Sequence, residues 1–138
     1  MNLKKIDHIG ILVNDIEAAL DFYHGKLGLP AKPIEVVSEF RVRVAFLQIG
    51  DVTLELVEPF EDSPYRQLGE GLHHICFEVD DILGALRELK AKDVPLVDNE
   101  PRPGAEGGVV AFLEAGPANS VPLELKEFRN RGGGSETE

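Results

Sequence analysis

Lys5–Val13 is a β-branched and largely apolar run, which predicts a strand whose side chains point alternately to its two faces. The period then changes. Ile16, Ala19, Leu20, Tyr23 and Leu27 fall at i, i+3, i+4, i+7 and i+11, one face of a helix. Asn14 or Asp15 offers its N-cap, with Glu17 three residues after Asn14 in the capping-box position, and Gly28 ends it. Three strands are expected next, around Lys32–Ser38, Arg41–Ile49 and Val52–Glu58, with Gly50-Asp51 as the turn between the last two. Leu72–Val79 begins the series again. Asp80 or Asp81 caps a helix with Ile82, Ala85, Leu86 and Leu89 on one face, and strands follow near Leu96–Asn99, Val109–Glu114 and Val121–Glu127. Glu61–Gly71 joins the two series, with a short helical turn at Pro64–Leu68.

The second series is a copy of the first. At an offset of 66 residues, Ile6–Leu20 (IDHIGILVNDIEAAL) matches Leu72–Leu86 (LHHICFEVDDILGAL) at seven of 15 positions. Val44–Leu47 recurs as Val110–Leu113 at the same offset, and Leu54-Glu55-Leu56 recurs as Leu123-Glu124-Leu125 at offset 69. The extra residues fall in the loop Gly116–Ser120. The unit is therefore β-α-β-β-β, repeated at about residues 3–60 and 70–127 within one domain spanning 1–128. The expected class is α+β, two pseudo-symmetric βαβββ units forming a curled mixed sheet, because one helix covers only one sheet face. Arg129–Glu138, ending GGGSETE, has no reason to be ordered.

Composition narrows the function. The chain has 138 residues, 43% of them hydrophobic, and a formal net charge of −11. Phosphate binding needs a basic face, so nucleic acid and anionic membrane surfaces are disfavoured partners. No apolar run approaches the ~18 residues of a membrane-spanning helix. The single Cys76 excludes an internal disulfide and suits a reducing compartment. The N-terminus enters a patterned segment at once, so the expected location is cytoplasmic.

Candidate chemistry comes from the alternation. With Ile9, Ile11 and Val13 packed on the helix, His8 shares the other strand face with Gly10 and Leu12. His74 likewise shares its face with Cys76 and Glu78, and Glu55 and Glu124 oppose the leucines that flank them. A lone strand histidine is more often structural, and a glutamate between leucines is usually solvated. The matching placement of His8 with His74 and of Glu55 with Glu124 is what turns them into a metal-ligand set. Two imidazoles and two carboxylates suit Co²⁺, Mn²⁺, Ni²⁺, Fe²⁺ or Zn²⁺, and they leave two positions of an octahedral ion open for a chelating substrate. His73, whose counterpart is Asp7, is expected to face outward; His24 is expected on the surface; Cys76 reads as a small core residue.

These residues resemble the vicinal oxygen chelate superfamily, and within it the methylmalonyl-CoA epimerase family, over about residues 3–127. The likeness is carried by IDHIGILVNDIEAALDFY (6–23), VAFLQIGDVTLELVEP (44–59), GEGLHHICFEVDDI (69–82) and NEPRPGAEGGVVAFL (99–113). It implies a vicinal oxygen chelate fold around a metal, usually cobalt, held by His8, Glu55, His74 and Glu124. It implies an acyl-CoA substrate, a homodimer, and Glu39 and Glu124 as the two proton-transferring carboxylates. Two stretches depart from the family: Glu39-Phe40-Arg41-Val42, and Leu113–Ser120, which lacks the family's lysine. Arg102, Lys90 and Lys92 are candidate contacts for CoA phosphates, each also readable as a plain solvated charge. The expected reaction is interconversion of (2R)- and (2S)-methylmalonyl-CoA. The alternatives are a glyoxalase I-type lyase acting on a glutathione hemithioacetal and a metal-free binding relative.

Overall fold

The alternating runs form strands and the helical-period runs form helices, in a computed structural model that describes residues 1–129. In chain order these are β1 (Lys5–Leu12), α1 (Ile16–Leu20), β2 (Glu35–Val37), β3 (Val42–Ile49), β4 (Val52–Pro59), β5 (Gly71–Glu78), α2 (Ile82–Ala91), β6 (Arg102–Pro103), β7 (Val109–Leu113) and β8 (Leu123–Glu127). The chain divides into two compact units, Asp7–His74 and Met1–Ile6 with the chain from Ile75 onward, so the division falls inside β1 and inside β5. The tail expected to lack order lies, from residue 130, outside the described residues.

In the unit Asp7–His74 the strand order is β2-β3-β4-β1. β3 and β4 pair antiparallel across the Gly50-Asp51 turn, and β1 runs parallel to β4 with α1 on the crossover. Val13, Ile16, Ala45, Leu47 and Leu56 close the core beneath α1. The helix is shorter than its apolar face suggests. After Leu20 the turn widens over Asp21–Lys26, where Leu27 N–H donates to Phe22 C=O, five residues back, at 2.9 Å. The expected edge strand at Lys32–Ser38 shrinks to β2, and Pro64–Leu68 is a 3₁₀ turn as expected.

In the other unit the order is β5-β8-β7-β6, with β5 parallel to β8 and the remaining pairs antiparallel. Val79, Ile82, Ala85, Leu86, Leu89, Ala111 and Leu125 form its core under α2. The strand expected at Leu96–Asn99 is replaced. Leu96 makes one isolated bridge to Leu113, and the edge strand is instead Arg102–Pro103. The reason is local: the Asp98 carboxylate accepts the Phe112 N–H at 2.8 Å, substituting a side chain for a ladder partner, and Pro95 and Pro101 bracket the segment.

Each helix start is satisfied the same way. Asp15 accepts from Ala18 N–H at 3.1 Å, and Asp81 accepts from Gly84 N–H at 3.0 Å. The last long strand of each unit adds a second acceptor: Glu58 takes Ile16 N–H and Glu127 takes Ile82 N–H, both at 3.0 Å. The capping-box role expected of Glu17 is absent, because its carboxylate is drawn into a bidentate pair with Arg43 at 2.9 and 3.0 Å. Among the described residues, no helix is long and apolar enough to cross a membrane.

Candidate metal centre

His8, Glu55 and His74 converge within the unit Asp7–His74. His8 enters from β1, Glu55 from β4 and His74 from β5. β4 runs parallel to β1 with Glu55 opposite Gly10, which puts the carboxylate one alternation step from His8. All three side chains are buried. The two imidazole Nε2 atoms are 3.2 Å apart, and Glu55 Oε1 lies 3.3 Å from His8 Nε2 and 3.2 Å from His74 Nε2. The His8 ring also meets Phe46 edge-on at 5.6 Å, an apolar wall on β3.

The spacing tests whether a metal fits. Two donors in adjacent positions of an octahedral ion with bonds of about 2.1 Å lie about 3.0 Å apart. The three observed separations match one face of such an ion. Their chemistry matches as well, since two imidazoles and a carboxylate suit a transition-metal dication. Glu55 is held ionised in this buried pocket. Burial acts most strongly on it and would raise its pKa, but attraction to the His8 imidazole and the hydrogen bonds from His74 and His8 together outweigh burial and hold it well below the usual carboxylate range.

Room for the cluster comes from a residue that alternation passed over. Gly10 sits between His8 and Leu12 on β1, and a Cβ there would overlap the His74 imidazole. The corresponding position of the repeat is Cys76, which is fully buried, as expected of a small core residue. Two further partners were missed. Asp7 Oδ2 is 2.8 Å from His8 Nδ1, and the Asp7 carboxylate is buried. The outward orientation expected of His73 does not hold. Its Nδ1 is 2.8 Å from His74 Nδ1, and its ring meets Tyr65 edge-on at 5.3 Å. The Pro64–Leu68 turn carries Tyr65 and gives a histidine expected to face water a wall to pack on. Adjacent Asp-His and His-His pairs were the available signal.

Glu124 belongs to the other unit. It is buried on β8, in register with Cys76 on β5 and Phe112 on β7. Two residues on, Lys126 is almost fully buried, its ammonium 3.0 Å from Glu106 and 4.5 Å from the centre of the Phe128 ring. Composition gave no hint of that buried cation, which needs a paired anion to offset its desolvation. Glu39 is exposed on the 3₁₀ turn Ser38–Phe40 between β2 and β3. His24 is on the surface as expected, its Nδ1 2.7 Å from Leu29 O. Of the basic candidates, Lys92 pairs with Glu88 at 2.9 Å and Arg102 with Asp98 at 3.1 Å, while Lys90 is exposed on α2.

The chain is similar to known proteins over most of its length. Residues 7–112 match the family model of the glyoxalase/bleomycin resistance protein/dioxygenase superfamily. The chain is 42% identical to YqjC of Bacillus subtilis over 130 residues, covering 91% of this chain and 93% of that one. It is 35% identical to the human mitochondrial methylmalonyl-CoA epimerase over 132 residues, 91% of this chain and 75% of the relative. A solved structure of a Streptomyces coelicolor methylmalonyl-CoA epimerase variant, in complex with 2-nitronate-propionyl-CoA, superposes with a TM-score of 0.85 at 35% identity, covering 92% and 96% of the two chains. Family model, relatives and shared fold thus coincide over residues 7–112, and the chain belongs to the glyoxalase/bleomycin resistance protein/dioxygenase superfamily.

Proposed function

We propose that this chain is a metal-dependent epimerase that interconverts (2R)- and (2S)-methylmalonyl-CoA by proton transfer at C2. The observation that carries the reading is the buried triangle of His8 Nε2, His74 Nε2 and Glu55 Oε1, with sides of 3.2–3.3 Å, in a chain whose relatives include methylmalonyl-CoA epimerases. In this reading His8, Glu55, His74 and Glu124 hold the ion. Cobalt is the metal the resemblance favours, and manganese, nickel and zinc suit the same donors. When bound, the ion supplies a Lewis acid beside the substrate's carboxylate and thioester oxygens, which lowers the cost of negative charge there.

The remaining work falls to the chain's own groups. Glu39 acts as one base, taking the C2 proton into its carboxylate while the C–H electron pair spreads onto the thioester. Glu124, protonated at the start of this direction, gives its proton to the opposite face of C2, leaving the inverted centre with Glu39 protonated and Glu124 ionised. Run backwards, the two exchange roles, so one site serves both directions. The shell of Phe46, Gly10 and the buried strand faces keeps bulk water from the donors. The reading includes a homodimer in the cytoplasm.

The test is hydrogen–deuterium exchange at C2 of methylmalonyl-CoA in D₂O. Cobalt-loaded wild type should exchange rapidly, chelation should stop it, and added Co²⁺ should restore it. Glu39→Gln should slow exchange by about 10²–10⁴-fold with Co²⁺ affinity unchanged. Absence of exchange at every metal loading overturns the epimerase.

A further inference from the structure

We propose that Arg41 positions Glu39: by binding Asp62 and Phe60, it braces the turn that carries this carboxylate against the end of β4. That Glu39 is the base rests on the epimerase reading above. The brace itself is testable without a substrate.

Arg41 follows the 3₁₀ turn Ser38–Phe40 and adopts φ 54° and ψ 54°, in the left-handed region. Side chains disfavour that region, because Cβ comes too close to the following carbonyl oxygen. At the 66-residue offset of the repeat, Arg41 corresponds to Gly107, whose φ is 71°. Both copies therefore place a left-handed residue shortly before the long strand. Glycine fills it in one copy without steric cost. Arginine fills it in the other, where its side chain makes contacts that a glycine cannot.

The guanidinium holds Asp62 through two hydrogen bonds, Nε–H to Oδ1 at 2.9 Å and Nη2–H to Oδ2 at 2.7 Å. Its Cζ also lies 5.1 Å from the centre of the Phe60 ring, within cation–π range. The backbone ties in from both sides. Arg41 N–H donates to Ser38 C=O at 3.1 Å, closing the turn around Glu39, and Arg41 C=O accepts Phe60 N–H at 2.9 Å. The second bond extends the β3–β4 ladder one step past Val42 and Pro59. The receiving segment is itself fixed: Ser63 N–H donates to Phe60 C=O at 3.0 Å, and Ser63 is buried. Strand β4 also carries Glu55, so the brace joins the turn of the base to the strand that bears one corner of the donor triangle. A left-handed residue other than glycine persists where its surroundings over-determine it, and these contacts do so. The Arg41–Asp62 pair is exposed on both sides, so it adds little to global stability and its effect is local.

Three measurements test this. In amide hydrogen exchange, positions 41 and 60 should lose protection in Arg41→Gly and in Asp62→Ala, while the middle of β3 keeps it. Glycine leaves the left-handed backbone accessible, so the Arg41→Gly melt should stay close to wild type. With Co²⁺ bound, Arg41→Gly should lower kcat for methylmalonyl-CoA by about 10–100-fold through misplacement of the base, with KM and Co²⁺ affinity within about twofold of wild type. Arg41→Lys, which keeps the charge but not the fork, should fall between the two. In a Glu39→Gln background Arg41→Gly should slow the reaction no further, because the group it acts through is already gone. Unchanged protection in both variants, an unchanged kcat, an equal loss of kcat on top of Glu39→Gln, or a loss confined to KM or Co²⁺ affinity overturns the inference. Protection lost as expected, in a protein whose wild type never epimerises methylmalonyl-CoA, supports the brace and overturns the epimerase reading alone.

Discussion

Gly10 and His74 share one space: a Cβ on Gly10 would overlap the His74 imidazole. The absence of a side chain on β1 is therefore what lets a histidine from β5 reach the carboxylate on β4. Gly10→Ala should keep the strand, where alanine is tolerated, but displace the ring. Divalent-metal affinity should fall at least ~10-fold, with overpacking costing about 1–3 kcal/mol of stability. Calorimetric titration with Zn²⁺ or Co²⁺, beside a thermal melt of the metal-free protein, separates the two effects. Unchanged affinity would show that the ring has another place to go.

The two helix caps make a prediction about stability alone. Asp15→Ala and Asp81→Ala each remove the acceptor for an N-terminal amide, Ala18 N–H and Gly84 N–H respectively. Each should cost about 1 kcal/mol. The pairs share no partner, so the double variant should lose about 2 kcal/mol. Urea denaturation measures all three. Metal affinity should not move, because neither residue touches the donor triangle.

Acid should weaken one particular strap. Arg43 bridges Glu58, at 2.7 Å, and Glu17. The Glu17 carboxyl lies below its usual range chiefly because Arg43 hydrogen-bonds it, with a backbone amide helping. A carboxylate with a depressed folded pKa favours the folded state above its unfolded value, and that contribution is lost as pH falls through the lower folded one. Glu17→Gln should thus melt slightly below wild type at neutral pH. The gap should begin to narrow below the ordinary glutamate pKa of about 4.3 and vanish once the pH is under the lower folded value. The effect is small because the pair is exposed, so parallel melts across pH are the measurement. A gap that persists in acid would mean Glu17 acts by packing rather than charge.

Much of the centre was legible because duplication writes it twice. A single histidine between apolar residues says little. His8 and His74 at one offset, with Glu55 and Glu124 at nearly the same one, say that both copies keep a polar residue where a sheet would bury an apolar one. The structure brings His8, Glu55 and His74 to within 3.3 Å of each other. The edge strands were less legible. Leu96–Asn99 has the apolar character of a strand, yet the Asp98 side chain captures the Phe112 N–H and the edge passes to Arg102–Pro103. A side chain competing for a ladder hydrogen bond leaves no periodic trace.

By itself the sequence determined the repeated βαβββ grammar and the matched placement of His8 with His74 and of Glu55 with Glu124. These follow from local periods and from residue chemistry, which survive any arrangement in space. The tertiary structure alone decided that His73 turns toward His74 instead of water, that Asp7 holds His8 Nδ1, that Gly10 makes room for a ring from another strand, and that Lys126 is buried against Glu106. Each is a contact between side chains whose aim depends on neighbouring strands and on a turn that covers them. Alternation says which face a residue takes; only packing says what it meets there.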